Sequence, residues 1–405
     1  MTERRTAPQR TSLGEIALLF LKLGTIAFGG PAAHVAMMED EVVRRRRWLT
    51  REQFLDYLGA TNLIPGPNST ELAIHVGHAR AGWPGLLVAG ACFILPAALI
   101  VGAIAWAYVR FGTLPAAQSV LYGVKPVVIA VVFQALWGLG RSAVKSAWLA
   151  VLGALAVAAV AVGVNELLVL AGAAVVMAAG ALVTRKRATP DATRDAASIV
   201  ALAPLARTDT VVASGAVAGG TVAAATAAAA PVALWPLFAV FLKIGAVLFG
   251  SGYVLLAFLR ADLVTRLHWL TERQLLDAVA VGQVTPGPVF TTATFVGYLL
   301  GRAPGAAVAT LGIFLPAFVF VAISGPLVPR MRRSRVAGAV LDGVNVASLA
   351  LMAVVTWALA RAALVDALTW ALAALAAVAL IRFRVNSAWL VIGGAFIGLA
   401  VGGGR

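Results

Sequence analysis

Two short segments combine a helix break with residue types that begin helices. One is Pro65-Gly66-Pro67 followed by Asn68, and the other is Thr285-Pro286-Gly287-Pro288. Proline lacks a backbone donor and clashes with the preceding turn, so neither triplet fits inside a continuous helix. A helix that starts after such a break directs unpaired N–H groups and the positive end of its dipole toward the break. Such an end binds anions without a charged side chain.

The chemistry predicted for the two breaks is the binding of one tetrahedral oxyanion between helix ends that face each other across a pseudo-two-fold axis. Polar side chains flank both breaks, which favours binding over a simple kink in a membrane span. The predicted binding residues are Asn62, Pro65, Gly66, Pro67, Asn68, Ser69 and Thr70 in the first segment and Gln283, Thr285, Pro286, Gly287, Pro288 and Thr291 in the second.

Two lysines, Lys22 and Lys243, occupy matching places inside the first apolar run of each half. A charge at membrane depth is costly and usually faces a protein interior or a cavity, whereas a lysine near a helix end extends harmlessly to the interface. We expect both lysines to contact substrate or to form structural pairs. Glu15 precedes Lys22 on the same helix face and is its candidate partner.

Several other titratable residues are weaker candidates. Glu71 follows the first break and either carries a proton or caps the helix dipole, so Glu71 and Glu15 are the candidate coupling residues. Asp56 and Asp277 are expected to pair with interfacial arginines, with proton transfer as the alternative. Lys125 is assigned to topology or lipid contact. The four histidines show no repeated metal spacing, so no metal and no cofactor is predicted.

Composition defines the elements that must position these residues. The chain has 405 residues, of which 61% are hydrophobic and 12% charged, and its mean hydropathy is +0.93. A soluble domain is nearer half apolar and a quarter charged. Long apolar runs without period-2 alternation predict membrane-spanning helices and exclude a barrel. The net charge of +15 indicates cytoplasmic loops and lipid contact rather than nucleic-acid binding.

The chain also contains an internal duplication. Residues Phe20 to Gly24 recur as Phe241 to Gly245, and both Trp-Leu-Thr and Pro-Gly-Pro recur, at a constant offset of 221 that becomes 220 by Pro84. The predicted organisation is an N-terminal transmembrane repeat at 1–184, a linker at 185–233 and a C-terminal repeat at 234–405. A spanning helix at 211–230 is the alternative for the linker. Many secondary transporters are built from such repeats.

Arginine positions predict the orientation of the two halves. In the first half a cluster at 44–47 precedes the break, whereas in the second half a cluster at 330–335 follows the long helix. Because Lys and Arg collect in cytoplasmic loops, placing both clusters inside makes the halves inverted repeats with re-entrant breaks. A broken span is the alternative to a re-entrant hairpin. The predicted fold is thus an all-α polytopic membrane protein with two homologous helical halves.

Three motifs resemble those of the chromate ion transporter family. They are Phe28-Gly29-Gly30-Pro31 with His34, then Arg47-Trp48-Leu49-Thr50, and then Pro65-Gly66-Pro67-Asn68. The resemblance covers nearly the whole chain, including the two-half layout of the long members. The second half departs from these motifs, with Gly250-Ser251-Gly252 in place of Gly29-Gly30-Pro31 and Val289 in place of Asn68. We therefore expect unequal contributions from the two halves.

The resemblance implies a multi-pass transporter that exports chromate across a bacterial inner membrane, driven by the membrane potential or a proton gradient, and gives chromate resistance. The expected partners are chromate, its analogue sulfate and the lipid bilayer, with a homodimer left open. The residues do not distinguish chromate from sulfate, because both are tetrahedral dianions. A sulfate-type importer is the alternative within this class. A membrane-embedded enzyme would need an acid–base or metal constellation, and none stands out, so no enzymatic activity is predicted.

Overall fold

A computed structural model describes residues 11–402, apart from 29, 113, 189–231, 250–251, 325–333 and 384. Gly29, the N-terminal arginines and the 211–230 run lie outside these residues. Half one contains α1 (Leu13–Ile26), α2 (Gly30–Glu39), a π-helix (Asp40–Arg45), α3 (Arg51–Thr61), α4 (Asn68–Phe111), α5 (Pro115–Ala143), α6 (Ala147–Ala161) and α7 (Glu166–Ala188).

Half two repeats this order of elements. It contains α8 (Leu234–Val247), a 3-10 turn (Gly252–Val254), α9 (Leu255–Leu259), a π-helix (Arg260–Arg266), α10 (Glu272–Val284), a second 3-10 turn (Val289–Thr291), α11 (Thr292–Ser324), α12 (Arg335–Ala363), α13 (Ala367–Arg382) and α14 (Ser387–Gly402). The prediction of two homologous helical halves is confirmed.

Five of the described helical segments are long and apolar enough to cross a membrane. They are Asn68–Phe111, Pro115–Ala143, Glu166–Val183, Val289–Ser324 and Val336–Ala363. Large apolar side chains on outer surfaces, such as those of Leu155, Leu311 and Phe396, are more than half exposed. An apolar surface of this kind suits contact with lipid rather than water. The protein is therefore a multi-pass membrane protein.

The same local signals start the corresponding helices α3 and α10. Thr50 and Gln53 form a capping box at the start of α3, and Thr271 and Gln274 form one at the start of α10. Each box satisfies backbone donors that a helix start leaves unpaired. In both halves the residue three positions before the cap has a positive φ, 52° at Arg47 and 53° at His268. The duplication has thus preserved these turns in backbone detail.

Both breaks form re-entrant hairpins rather than broken spans. The ring of Tyr57 on α3 stacks on that of His75 on α4, with centroids 5.3 Å apart, so the chain reverses between them. Gly282 and Thr292 are likewise in contact across the second break. We call α3 with residues 62–80 hairpin one, and α10 with residues 285–300 hairpin two. Their tips are Pro65–Pro67 and Pro286–Pro288.

Each hairpin continues into a long helix through a second reversal. Backbone dihedral angles leave the helical region at Ala81 and Gly82, and the backbones of Gly77 and Gly85 touch across this turn. α4 is therefore two antiparallel legs, a short leg (68–80) and a long leg (83–111). α11 has the same construction, with a short leg at 292–300 and a long leg at 303–324.

The two long legs run antiparallel to each other. Gly90 of α4 contacts Phe318 near the end of α11, whereas Gly102, farther along α4, contacts Thr294, whose hydroxyl bonds to that of Thr310. Equivalent helices that cross a membrane in opposite directions require opposite orientations of the repeats. The predicted inverted arrangement follows from this packing.

The halves also exchange their last helices. α13 and α14 of half two pack on α5 of half one, and α6 and α7 of half one pack on α12 of half two. Gly123 of α5 lies against the carbonyl oxygen of Gly394, and Gly343 of α12 lies against that of Ala173. The two halves consequently form one interlocked body.

Candidate anion site at the re-entrant tips

The two tips dock reciprocally onto the opposite halves. The backbone N–H of Gly66 donates to the carbonyl oxygen of Leu248, at 2.8 Å, and that of Gly287 donates to the carbonyl oxygen of Ala27, at 3.0 Å. Both donors and both acceptors are related by the offset of 221. Leu248 and Ala27 follow the last residues of α8 and α1. Each break therefore lies at the contact between the halves, and neither is a peripheral loop.

Glycine is required at both tips because φ is positive, +138° at Gly66 and +86° at Gly287. A Cβ on Gly287 would lie 2.7 Å from the Cβ of Ala97 and 3.0 Å from the carbonyl oxygen of Gly24. Residues other than glycine adopt this backbone conformation only with strain. The two glycines that helped to predict the breaks thus also allow the halves to approach each other closely.

His34 links the two tips through one shared acceptor. Its Nε2 lies 3.0 Å from the Ala27 carbonyl oxygen, and its Nδ1 lies 3.3 Å from Oγ of Ser69. A carbonyl oxygen only accepts, so Nε2 carries the proton and Nδ1 accepts from the Ser69 hydroxyl. Because Ala27 also accepts from Gly287, His34 fixes the start of the α4 short leg relative to tip two.

The short leg of hairpin one holds five of the ten buried side-chain atoms that lack a hydrogen-bond partner in the part of the chain that the structure describes. Asn68 donates through Nδ2 to Oδ1 of Asn62, at 2.8 Å. Within the described chain, hydrogen-bond partners are missing for Oδ1 of Asn68, Oγ1 of Thr70, both carboxyl oxygens of Glu71 and Nε2 of His75. Buried polar groups are rarely left unpaired, and such groups mark functional positions. In hairpin two, Nε2 of Gln283 is likewise unpaired.

Tip two presents a different surface. Half two has Val289 and Phe290 where half one has Asn68 and Ser69, and both are buried. The hydroxyls of Thr285 and Thr291 donate to carbonyl oxygens of their own hairpin, at 3.0 and 2.8 Å. At this tip the remaining donors for an anion are Nε2 of Gln283 and backbone N–H groups at the helix start.

The two lysines form matching ion pairs. Nζ of Lys22 lies 2.7 Å from Oε1 of Glu41, and Nζ of Lys243 lies 2.7 Å from Oδ1 of Asp262. Glu41 and Asp262 lie in the two π-helices, outside the candidate spans. The hydrogen bond from Lys22 lowers the pKa of Glu41. The expected pairing of Lys22 with Glu15 is wrong, because the π-helix brings a carboxylate closer than the preceding turns do.

Sequence reasoning missed Glu41 and Asp262, although a signal for them exists. Each acid follows its lysine by 19 residues, and the shared offset of 221 would have paired them. An open cavity of about 350 Å³ adjoins the pair in half one. It is lined by Lys22, Leu23, Ile26, Ala36, Met37, Asp40, Glu41 and Arg45. Ile26 directly precedes Ala27, so this cavity reaches the neighbourhood of tip two.

A buried charge pair joins the halves away from the tips. Nζ of Lys125 on α5 lies 2.8 Å from Oδ1 of Asp277 on α10, and the hydroxyl of Tyr108 donates to Oδ2 at 2.8 Å. The expectations for both charged residues are wrong: Lys125 is buried inside a long helix, and Asp277 pairs with it rather than with an arginine. Asp56, the counterpart of Asp277, is exposed on α3.

The remaining motif residues have structural positions around hairpin one. The guanidinium groups of Arg46 and Arg80 lie 5.2 and 5.9 Å from the ring centroid of Trp48, within the range of cation–π attraction. Gly30 has φ +75° at the start of α2, and Pro31 follows it. Glu15 is exposed near the start of α1, where its N–H bonds to Ser12.

Inverted helical repeats that meet at paired helix breaks are found in many membrane transporters. The chromate transporter family model matches residues 14–183 and 235–399. The chain therefore belongs to the chromate transporter family.

Curated relatives agree with this assignment. The chain is similar to the chromate transport protein of Cupriavidus metallidurans, with 35% identity over 97% of this chain and 94% of the relative. It is also similar to that of Pseudomonas aeruginosa, with 33% identity over 87% and 82%. The probable chromate transport protein of Synechococcus elongatus is 31% identical over 86% and 85%. No solved structure matches the chain.

Proposed function

We propose that the chain exports chromate from the cytoplasm across a bacterial inner membrane, driven by the membrane potential or a proton gradient, and so gives chromate resistance. The two tips form the binding site. The observation that carries this proposal is the reciprocal pair of hydrogen bonds, Gly66 to Leu248 and Gly287 to Ala27. It brings two helix starts of opposite halves to their common boundary, where a transported ion must pass.

Donor chemistry supports an oxyanion as the cargo. Two helix starts offer backbone N–H groups and positive dipole ends from opposite directions, which suits a tetrahedral dianion. At tip one the hydroxyl of Thr70 is a further donor, while Asn68 and Ser69 line the site and donate to Asn62 and His34 in this conformation. Chromate is favoured over sulfate by the names of the relatives, since both ions have the same shape and charge.

Lys22 and Lys243 attract the anion through their electrostatic field and do not contact it directly. Their side chains are 47% and 34% exposed, and each ammonium group pairs with a carboxylate of the π-helix in its own half. Arg45 and Arg266 lie 3.8 and 3.0 Å from the same carboxylates. Each group therefore has more positive than negative charge, which raises the local concentration of anions.

The decisive experiment is chromate uptake into energised everted vesicles that contain the full chain. The wild type should accumulate chromate, and sulfate should compete. Asn68→Asp should reduce uptake about tenfold or more, because repulsion between a carboxylate and the bound dianion costs about 1.4 kcal/mol or more. The same carboxylate suits a helix start, so the protein should still fold.

The matched control is Glu52→Gln, which changes a charge on the exposed surface of hairpin one away from its tip. It should transport like the wild type. Accumulation in right-side-out vesicles instead of everted ones would favour the importer. Absence of accumulation in both orientations, with wild-type protein correctly inserted, would refute the proposal.

A further inference from the structure

The carboxyl group of Glu71 lies at the tip of hairpin one. Glu71 is in the first turn of the α4 short leg and is fully buried. Its Oε1 rests against Gly66, in the space that a Cβ on that glycine would occupy. Neither carboxyl oxygen has a hydrogen-bond partner among the residues that the structure describes. An acid group therefore contacts the tip residue whose N–H joins the two halves.

Among the residues that the structure describes, no charged side chain pairs with Glu71. His75 follows one turn later, and the titratable groups that face this leg from its neighbours are His34 of α2 and Tyr57 of α3. α11 contributes apolar side chains at Ala317, Phe318 and Val321. On the other neighbouring helices, Lys22 of α1 pairs with Glu41, and Asp277 of α10 pairs with Lys125.

Half two lacks this group. Gly77 and Gly297 occupy the same place in the two short-leg turns, which sets the offset at 220. Thr291 and Phe295 then correspond to Glu71 and His75. The hydroxyl of Thr291 donates a hydrogen bond to the carbonyl oxygen of Pro288. A titratable side chain at the tip is thus a property of half one.

An ionised carboxylate in this position would be buried without a partner, which is costly, so the group carries its proton in this conformation. Once ionised, it would itself be an anion at the positive end of the short leg. A carboxylate and an oxyanion would then compete for the same helix start.

We propose that Glu71 is a proton-binding gate of the oxyanion site. Ionised, its carboxylate occupies the tip and excludes the oxyanion; protonated, it leaves the backbone donors free. This inference rests on the proposed function with the membrane potential as its driving force, because a proton that binds together with the oxyanion also leaves the cytoplasm with it. Since proton and oxyanion binding favour each other, the affinity for chromate rises as pH falls.

The test is chromate counterflow in proteoliposomes that contain the purified full chain, measured across pH. One linked proton changes the apparent affinity by at most about tenfold per pH unit. Glu71→Gln, which stays neutral, should retain exchange and lose this dependence. Chromate protonation is the same in both samples, so the ratio of wild type to variant isolates Glu71. Glu71→Asp should keep the dependence. Glu52→Gln is the matched control, because it removes an exposed carboxylate of the same hairpin away from its tip.

The outcomes separate this inference from the proposed function. A pH-dependent ratio of wild type to Glu71→Gln, with Glu52→Gln like the wild type, supports the gate. A Glu71→Gln protein that keeps the wild-type dependence overturns it, as does a Glu71→Asp protein that exchanges chromate without any dependence. Wild-type exchange that is independent of pH refutes the gate and leaves chromate transport standing. A wild type that exchanges no chromate refutes the proposed function itself.

Discussion

Hairpins one and two share a backbone plan and differ in chemistry. Both have a capping box, a Pro-Gly-Pro tip and a tight second turn. Hairpin one has unpaired polar atoms at Asn68, Thr70, Glu71 and His75 and an exposed outer surface on α3. Hairpin two has apolar side chains at its tip, and its α10 packs against α5, α12 and α14.

This difference separates the residues that build the shared backbone from the residues that make the two hairpins chemically different. Features that recur at the fixed offset hold the backbone, because both halves need the same turns to meet at their common boundary. Features present in one half only either contact the cargo or anchor that half. By this criterion we propose that hairpin one carries the titratable chemistry, whereas hairpin two is fixed to half one by the pair of Lys125 with Asp277.

The largest effect should come from breaking that anchor. Lys125→Met leaves Asp277 buried without its charge partner and should destabilise the protein by about 3–5 kcal/mol. Thermal unfolding of the detergent-solubilised chain measures this. Lys145→Met is the control, because its pair with Asp342 is largely exposed and should contribute about 0–1 kcal/mol. Equal losses in the two variants would show that hairpin two is not anchored by this pair.

Next come the two tip glycines. Gly287→Ala and Gly66→Ala both force alanine into a positive-φ region, with a strain of about 1–3 kcal/mol each. Gly287→Ala should lose more transport, since its Cβ meets Ala97 and the Gly24 backbone, whereas that of Gly66 meets the movable carboxyl end of Glu71. Vesicle uptake normalised to protein level tests the order. The reverse order would mean that tip one is the more tightly packed.

A smaller effect is expected when half one is given the side chain of half two. His34→Leu places there the residue type found at Leu255 and removes the bonds to Ala27 and Ser69. Loss of buried hydrogen bonds should cost about 1–3 kcal/mol. A double-mutant cycle with Ser69→Ala, read by thermal unfolding, should show coupling between the two positions. Additive losses would contradict the link that the geometry indicates.

The smallest effect concerns the shared lysine–carboxylate pairs. Lys22→Met and Lys243→Met should each cost about 0.2–1 kcal/mol, because both ammonium groups are partly exposed. Glu41 has a lowered pKa in the folded state, so its contribution is present at neutral pH and is lost as the pH falls below about 4.3. Unfolding measured from pH 7 to pH 3 should therefore converge for wild type and Lys22→Met. A constant difference would exclude this linkage.

Local rules in the sequence determined a large part of this protein. Apolar composition implies membrane helices, since lipid cannot hydrogen-bond the backbone. The matched anchors at offsets of 221 and 220 establish the duplication, and proline and glycine place both breaks. Each of these effects acts within a turn or two of helix, so residue types and spacing suffice to predict it.

Tertiary structure determined which distant residues contact each other. Whether a Pro-Gly-Pro break reverses the chain depends on packing, here of Tyr57 on His75 and of Gly77 on Gly85. Lys125 and Asp277 are 152 positions apart in the chain, and Gly66 and Leu248 belong to different halves. Such contacts exist only because the halves interlock. No local sequence pattern encodes which charged group or carbonyl oxygen of one half will lie against a given residue of the other. The residue types therefore predicted anion binding, whereas the packing of the helices determined which side chains lie at the two tips.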